Sequence, residues 1–126
     1  MEEKVEFKPV DYDPVVDSLF VRVPESEYEH SVMLGDDVVL DFGRLSGKDK
    51  LDVVGFEILE ASKKFGLDKH LLRNIKRLYT EIKISEDRVE MRISIVVVQR
   101  KKERERSRIL EMANVGLPTA VTSISV

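Results

Sequence analysis

Hydrophobic and polar residues alternate through most of the first half of the chain. Between 18 and 23, Leu19, Val21 and Val23 fall on one side, and Phe20 and Arg22 on the other. That is the period of a strand half-buried on a core. Pro24 ends the run. A weaker strand over 26–34 carries Tyr28, Val32 and Leu34, and Gly35-Asp36 turns the chain. DVVLDFG (37–43) alternates again, with Val38 and Leu40 facing opposite to Val39 and Asp41. A polar loop, RLSGKDKLD (44–52), leads to a fourth strand in VVGFEILEA (53–61). Connections this short join neighbouring antiparallel strands, so the pattern predicts a meander. Ahead of it, VEFKPV (5–10) reads as a short edge segment and DYDP as a turn, with Pro14 fixing one dihedral.

The period changes inside GFEILEASKKFGLDKH (55–70). Val54, Phe56 and Ile58 point one way, and Gly55, Glu57 and Leu59 the other. Glu57 therefore faces away from the core, beside a glycine that lets another group approach. From Glu60 the pattern is helical for about one turn, and Gly66 suits a left-handed cap. Asp68 is placed as the N-cap of a longer helix, with Leu67 and Leu72 as a staple. Its apolar stripe is Leu71, Leu72, Ile75, Leu78 and Tyr79.

The second half returns to sheet. TEIKI (80–84), a turn at SEDR and VEMRISIVVVQ (89–99) predict a hairpin with a long second strand. Val89, Met91, Ile93, Ile95 and Val97 share one face. Val96 and Val98 make the other face apolar late, which predicts cover on both sides there. RKKERERSRILEMANV (100–115) favours helix by propensity, and Gly116 and Pro118 end it. AVTSISV (120–126) closes the chain as a strand, of the kind usually tied into a sheet and often a partner's. The fold class is α+β: an antiparallel β-meander with one short and one longer helix, then a β-hairpin with a long strand, then a C-terminal strand.

Charge sharpens the division. Residues 1–66 hold 8 Lys/Arg against 16 Asp/Glu, while residues 67–126 hold 13 against 8. All aromatics but Tyr79 lie in the first part. Two modules with different cores are expected: 1–66, an acidic meander, and 67–126, a basic helix plus hairpin serving oligomerisation. Opposite charge favours contact between them, within or between chains, and a homo-oligomer is expected. The absence of Cys excludes disulfides, thiolate metal sites and a Cys nucleophile. The acidic start MEEKVEFK is no signal peptide, and no apolar run reaches bilayer length, so a soluble cytoplasmic protein without membrane contact is expected. High Lys/Arg/Glu with three amide side chains, Asn74, Gln99 and Asn114, is a thermophile-like composition.

Candidate chemistry is sparse. Asp11, Asp13 and Asp17, or Asp36, Asp37 and Asp41, could gather a hard cation. The first group fails the EF-hand spacing at Val16 and Arg22, and aspartates are ordinary turn residues. GRLSGKD (43–49) approaches a phosphate loop but is one residue short, with Asp49 where Ser or Thr should stand. His30 and His70 read as surface histidines, without a partnered triad. Glu57 is the best lone catalytic carboxylate, although a single one supports few mechanisms. No catalytic or metal constellation is legible, and no cofactor is implied. The strongest electrostatic feature is Arg100, Lys101, Lys102, Arg104, Arg106 and Arg108, with Arg73 and Arg77 on the predicted helix. These could meet nucleic acid or an acidic partner. Glu103 and Glu105 interrupt the run, and no aromatics interleave to stack bases.

Motifs in the first half resemble a known family. Tyr12-Asp13, Asp17-Ser18-Leu19-Phe20-Val21, Ser31, Asp36, Val38, Asp41 and Gly55-Phe56-Glu57-Ile58-Leu59-Glu60-Ala61-Ser62 match its pattern over roughly residues 11–65. It is similar to the small domain-of-unknown-function family, number twenty-two eighty-three, of bacteria and archaea. The loop at 44–52 is longer than the family's turn, and residues 67–126 lie outside the resemblance. Its members often stand beside small toxin-like proteins in genomes, which implies an antitoxin-like or partner-binding role. The resemblance marks Tyr12, Asp13, Asp17, Asp36, Asp41 and Glu57 as a candidate motif surface.

The reading that follows is a non-enzymatic interaction module that self-associates and serves as an antitoxin-like or regulatory partner, with a small toxin-like protein as one expected partner. The second reading is an RNA- or DNA-binding regulator using the basic half. The third is a metal-dependent hydrolase using Asp13, Asp41 and Glu57.

Overall fold

The computed structural model describes residues 8–126, and within it the chain is mostly antiparallel β, with two sheets and two short helices. The first sheet holds β1 (Val10–Asp13), β2 (Ser18–Arg22), β3 (Glu27–Leu34), β4 (Val38–Arg44) and β5 (Leu51–Ile58). Helices α1 (Ala61–Phe65) and α2 (Lys69–Leu72) follow. The second sheet holds β6 (Ile75–Ile84), β7 (Arg88–Gln99), β8 (Lys102–Ala113) and β9 (Ala120–Ser125).

The first sheet is not a simple meander. Its order is β1-β2-β5-β4-β3, so β2 lies beside β5 while β3, β4 and β5 run as consecutive hairpins, a Greek-key arrangement. Pro24 lacks an N–H for the ladder and Glu25 takes φ 61, so the chain leaves the sheet there. The amide of Val23 still donates to Val54, and the Ser26 hydroxyl donates back to the Val23 carbonyl. DYDP is not a turn: Val10–Asp13 pairs with β2, and the turn falls at 14–17. Of the predicted edge segment VEFKPV, residues 5–7 lie outside the described residues.

Each sheet has one apolar face, and the two faces meet. Leu19, Val21, Leu40, Phe56 and Ile58 from the first sheet join Leu78, Ile82, Met91, Ile93, Ile95 and Ile124 from the second in one buried cluster. Leu71 and Leu72 of α2 and Phe65 of α1 join it too. The acidic and basic halves are thus two layers of a shared core rather than modules with separate cores. Fully burying a side chain such as Phe56 contributes about 1.5–3 kcal/mol, so neither layer could leave this face in water.

Two predicted helices give way to strand. The longer helix stops at Leu72, and from Leu78 the buried positions run 78, 80, 82, 84, which is strand period. β6 pairs with β7 on one side and β9 on the other. A central strand satisfies its backbone through both neighbours, whereas a short helix is marginal alone. Asp68 does occupy the N-cap position of α2, but its carboxylate makes no capping bond. Short helix α1 ends as expected, at Gly66 with φ 61.

The segment 100–115 is also strand. Arg100 and Lys101 take φ 51 and 65 and turn β7 back onto itself, with Gln99 opposite Lys102. A two-residue turn of this hand matches the twist of the strands it joins. Propensity lost to pairing along the whole length of β7. The expected cover on both sides of β7 is absent at Val98, which is 37% exposed. The C-terminal strand β9 pairs with β6 of its own chain.

This turn separates strand from helix experimentally. Asn-Gly in place of Arg100-Lys101 should stabilise the protein by about 1 kcal/mol, because both positions are left-handed. In a helix the same glycine would cost about 1 kcal/mol. Urea unfolding midpoints give the sign.

Candidate interaction surfaces

The motif residues of the first half divide into a structural lock and an exposed face. The lock centres on Asp17, which takes φ 55 where the β1–β2 turn closes. Its Oδ1 accepts from the Tyr12 hydroxyl at 2.5 Å and from the Ser62 amide at 3.0 Å. Its Oδ2 accepts from the Ser62 hydroxyl at 2.6 Å, and its carbonyl accepts from the Ala61 amide. Asp17 thereby caps α1 from 45 residues away in sequence, while Glu60 at the N-cap position makes no side-chain capping bond. Burial pushes the Asp17 pKa up. The bonds from the Ser62 hydroxyl, the Tyr12 hydroxyl and the Ser62 amide outweigh it, and the pKa falls below the ordinary value. Burial raises the Tyr12 pKa, and the bond to Asp17 adds to it.

Asp13 and Asp36 do local work or none. Asp13 accepts from the amide of Val15 at 2.9 Å, and Asp36 is exposed in the β3–β4 turn. The neighbouring Asp37 pairs with Lys64 at 2.9 Å.

The remaining motif residues lie on the outer face of the first sheet, turned away from the core. Register aligns them in two rows. One runs Ser31, Asp41, Gly55, Arg22 across β3, β4, β5 and β2. The Ser31 hydroxyl donates to Asp41 at 2.7 Å and meets the Tyr28 hydroxyl at 2.6 Å. Arg22 stands 3.8 Å from Asp41 and 5.1 Å from the centre of the Tyr28 ring. Gly55 leaves the space that the sequence predicted: a Cβ there would lie 2.4 Å from the Val21 carbonyl oxygen and 3.2 Å from Asp41.

The second row runs Asp11, Phe20, Glu57, Val39, Met33 across all five strands. Phe20 is 39% and Met33 59% exposed. Glu57 is half-buried, and neither it nor Asp11 makes a side-chain hydrogen bond or ion pair among the described residues. Asp41 is satisfied and Glu57 is not. Among the described residues, no three His, Asp or Glu side chains form a group that could hold a metal ion, so Asp13, Asp41 and Glu57 are not brought together as a metal set. His30 stacks on Phe42 at 5.4 Å and is otherwise exposed.

The basic residues lie on β8, an edge strand whose far side has no partner among the described residues. Lys102, Arg104, Arg106 and Arg108 share one face, and Glu103 and Glu105 the other. Arg77 Nη2 pairs with Glu103 at 3.0 Å, and Lys76 pairs with the same carboxylate. Ser94 donates to Glu105 at 2.6 Å. Arg104 and Arg108 make no such bond among the described residues. Glu103 is thus compensated by two cations and Glu105 is held by a hydroxyl, while Arg104 and Arg108 have neither among the described residues. Of the predicted contact residues, Arg77 is spent on Glu103, and Arg73 lines a separate groove with Lys8, Asp11 and Tyr12. Arg100 and Lys101 form the turn. The alternation placed Phe20 and Arg22 opposite Leu19 and Val21, but neither they nor Tyr28 were expected as site residues. Tyr28 reaches this face only because the register shifts between Tyr28 and His30.

The lock has a pH signature. Because the Asp17 pKa is lowered on folding, its contribution is full above the unfolded value, about 4, and is lost as pH falls through the folded value. Asp17→Asn should therefore destabilise the protein by about 1–3 kcal/mol at pH 7. Its stability should fall less steeply than wild type on acidification, so that the two converge. Urea titrations from neutral to strongly acid pH test this.

The family described as "Protein of unknown function (DUF2283)" matches residues 10–62, which are the first sheet and the start of α1. An uncharacterized protein of Methanocaldococcus jannaschii is 34% identical over 110 residues, covering 86% of this chain and 90% of that protein. A Methanosarcina mazei protein named "Putative hypoxanthine phosphoribosyltransferase" is 31% identical over 115 residues, covering 90% of this chain and 89% of its own length. No solved structure matches the chain. The motif residues of the lock and of the outer face all fall within the matched segment, and the chain belongs to the DUF2283 family through residues 10–62.

Proposed function

We propose that the protein is a non-enzymatic interaction module whose β8 edge docks an acidic protein surface. The observation that carries this is the asymmetry of β8. Glu103 is neutralised by Lys76 and Arg77 and Glu105 accepts from Ser94, while among the described residues Arg104 and Arg108 have no partner and the far edge of β8 is unpaired. Residues two apart on a strand repeat at about 6.8 Å, so the row suits carboxylates displayed at the same interval. Unpaired arginines also steer an acidic partner into contact. Such docking suits the regulatory or antitoxin-like role that the family resemblance implies.

Nucleic acid is the second reading, favoured by the same row of cations. It lacks the aromatic platforms on which bases stack, since the arginine face of β8 carries none. The geometry does not favour the activity in the name of the Methanosarcina mazei relative. Phosphoribosyl transfer calls for a pyrophosphate cradle, commonly backbone amides where a loop enters a helix. Here GRLSGKD, the one phosphate-loop approximation in the sequence, leads into strand β5 and carries Asp49.

The test compares a fluorescent peptide of alternating Glu and Thr with a single-stranded oligonucleotide of equal charge. The peptide should bind in a salt-dependent way, and Arg104→Gln with Arg108→Gln should weaken it about tenfold or more. An oligonucleotide that binds far more tightly, with a steeper salt slope, would move the function to nucleic acid. No binding of either probe would overturn both readings.

A further inference from the structure

We propose that the acidic surface taken by β8 belongs to a second copy of this chain, and that it is the row Asp11–Phe20–Glu57–Val39–Met33 on the outer face of the first sheet. This rests on the reading of β8 as a docking edge and names its partner. The two surfaces are complementary within one sequence. The row presents Asp11 and Glu57, two carboxylates without hydrogen bonds or ion pairs among the described residues, on either side of the half-exposed Phe20 ring. The edge presents Arg104 and Arg108 in the same condition. Strands in a sheet lie about 4.8 Å apart, so Asp11 and Glu57 stand roughly 10 Å apart across Phe20. A guanidinium over that ring is attracted by its face and lies within reach of both carboxylates. The aliphatic stems of the arginines would cover Phe20 and Met33.

Neither surface suits its own copy. In a two-fold pairing of β8 with β8, residues directly opposite share a face. The fullest overlaps then set Arg106 against Arg108, or Arg108 against itself. A two-fold contact centred on Phe20 and Glu57 would bring Glu57 towards its own equivalent. Like charges so placed are destabilising. Edge onto face avoids both and makes the contact heterologous, each copy offering one edge and one face. Such contacts close into rings or grow into chains.

Sedimentation of the full chain tests this with two variants. The edge variant is Arg104→Glu with Arg108→Glu, and the face variant is Glu57→Lys. At low salt the wild type should sediment above its 14.5 kDa monomer, more so at higher concentration, and return to monomer at high salt. Each variant alone should be monomeric. Mixed together at low salt they should associate again, because one keeps the face and the other the edge. Glu57→Gln preserves side-chain size and should weaken assembly without abolishing it. A wild type monomeric at every concentration, a Glu57→Lys variant that assembles like wild type, or a mixture that stays monomeric would each overturn the proposal. The alternating Glu-Thr peptide distinguishes the two levels. If the face variant still binds it, the docking edge stands and only the identity of the partner has failed.

Discussion

Everything in this fold depends on covering the apolar face of the first sheet. That sheet is built from residues 10–58 and turns Leu19, Val21, Leu40, Phe56 and Ile58 to one side. A sheet with such a face cannot stand in water by itself. The second sheet supplies the cover, with Leu78, Ile82, Met91, Ile93 and Ile95, and the helices close the side with Phe65 and Leu72. The hydrophobic contribution is non-directional, so something else must set the angle at which the chain passes between layers. Asp17 does this. It receives four hydrogen bonds at the point where the first sheet ends and α1 begins, counting the one to its carbonyl. A further bond crosses between the sheets, from the Thr122 hydroxyl to Asp52 at 2.7 Å.

The strands of the first half were legible because one face is buried and the other is not, which writes period two into the sequence. Their order was not legible. Nothing in Arg22-Val23-Pro24 says that β2 will lie beside β5, since that depends on pairing between residues more than thirty apart. The second half misled for two different reasons. Leu71, Leu72, Ile75 and Leu78 satisfy a helical spacing, and strand period becomes visible only when Thr80 is accepted as a buried position. In KERERSRILEMA the residues are good helix formers, yet charge sign alternates with period two at Glu103, Arg104, Glu105 and Arg106. Reading hydrophobicity alone hides that alternation, because the face towards the core is arginine until Leu110.

The motif that marks the family carries mostly architecture. Tyr12, Asp17 and Ser62 meet one another, and Ser31 meets Asp41. The half-buried bonds to Asp17 fix geometry at about 1 kcal/mol each, more where a carboxylate accepts, and the exposed bond to Asp41 contributes less. Surface pairs such as Arg22 with Asp41 at 3.8 Å contribute between nothing and about 1 kcal/mol. By that measure Glu57 is the exception within the motif, a half-buried carboxylate whose neighbours across the strands are Phe20 and Val39. Stability alone gives little reason for an acid between those two.

The same accounting separates binding from folding in the second half. β8 is joined to the rest through β7 and through Leu110 and Met112, which pack on the core, while Arg104 and Arg108 are exposed. Changing those arginines leaves the apolar cluster and the Asp17 lock untouched, so any effect on assembly or docking is not a consequence of unfolding. Glu103 differs, because its removal would leave Lys76 and Arg77 without their carboxylate and extend the positive surface around the end of β8. The charge at the start of β8 is therefore set in part by Lys76 and Arg77 of β6, two cations that the strand itself does not carry.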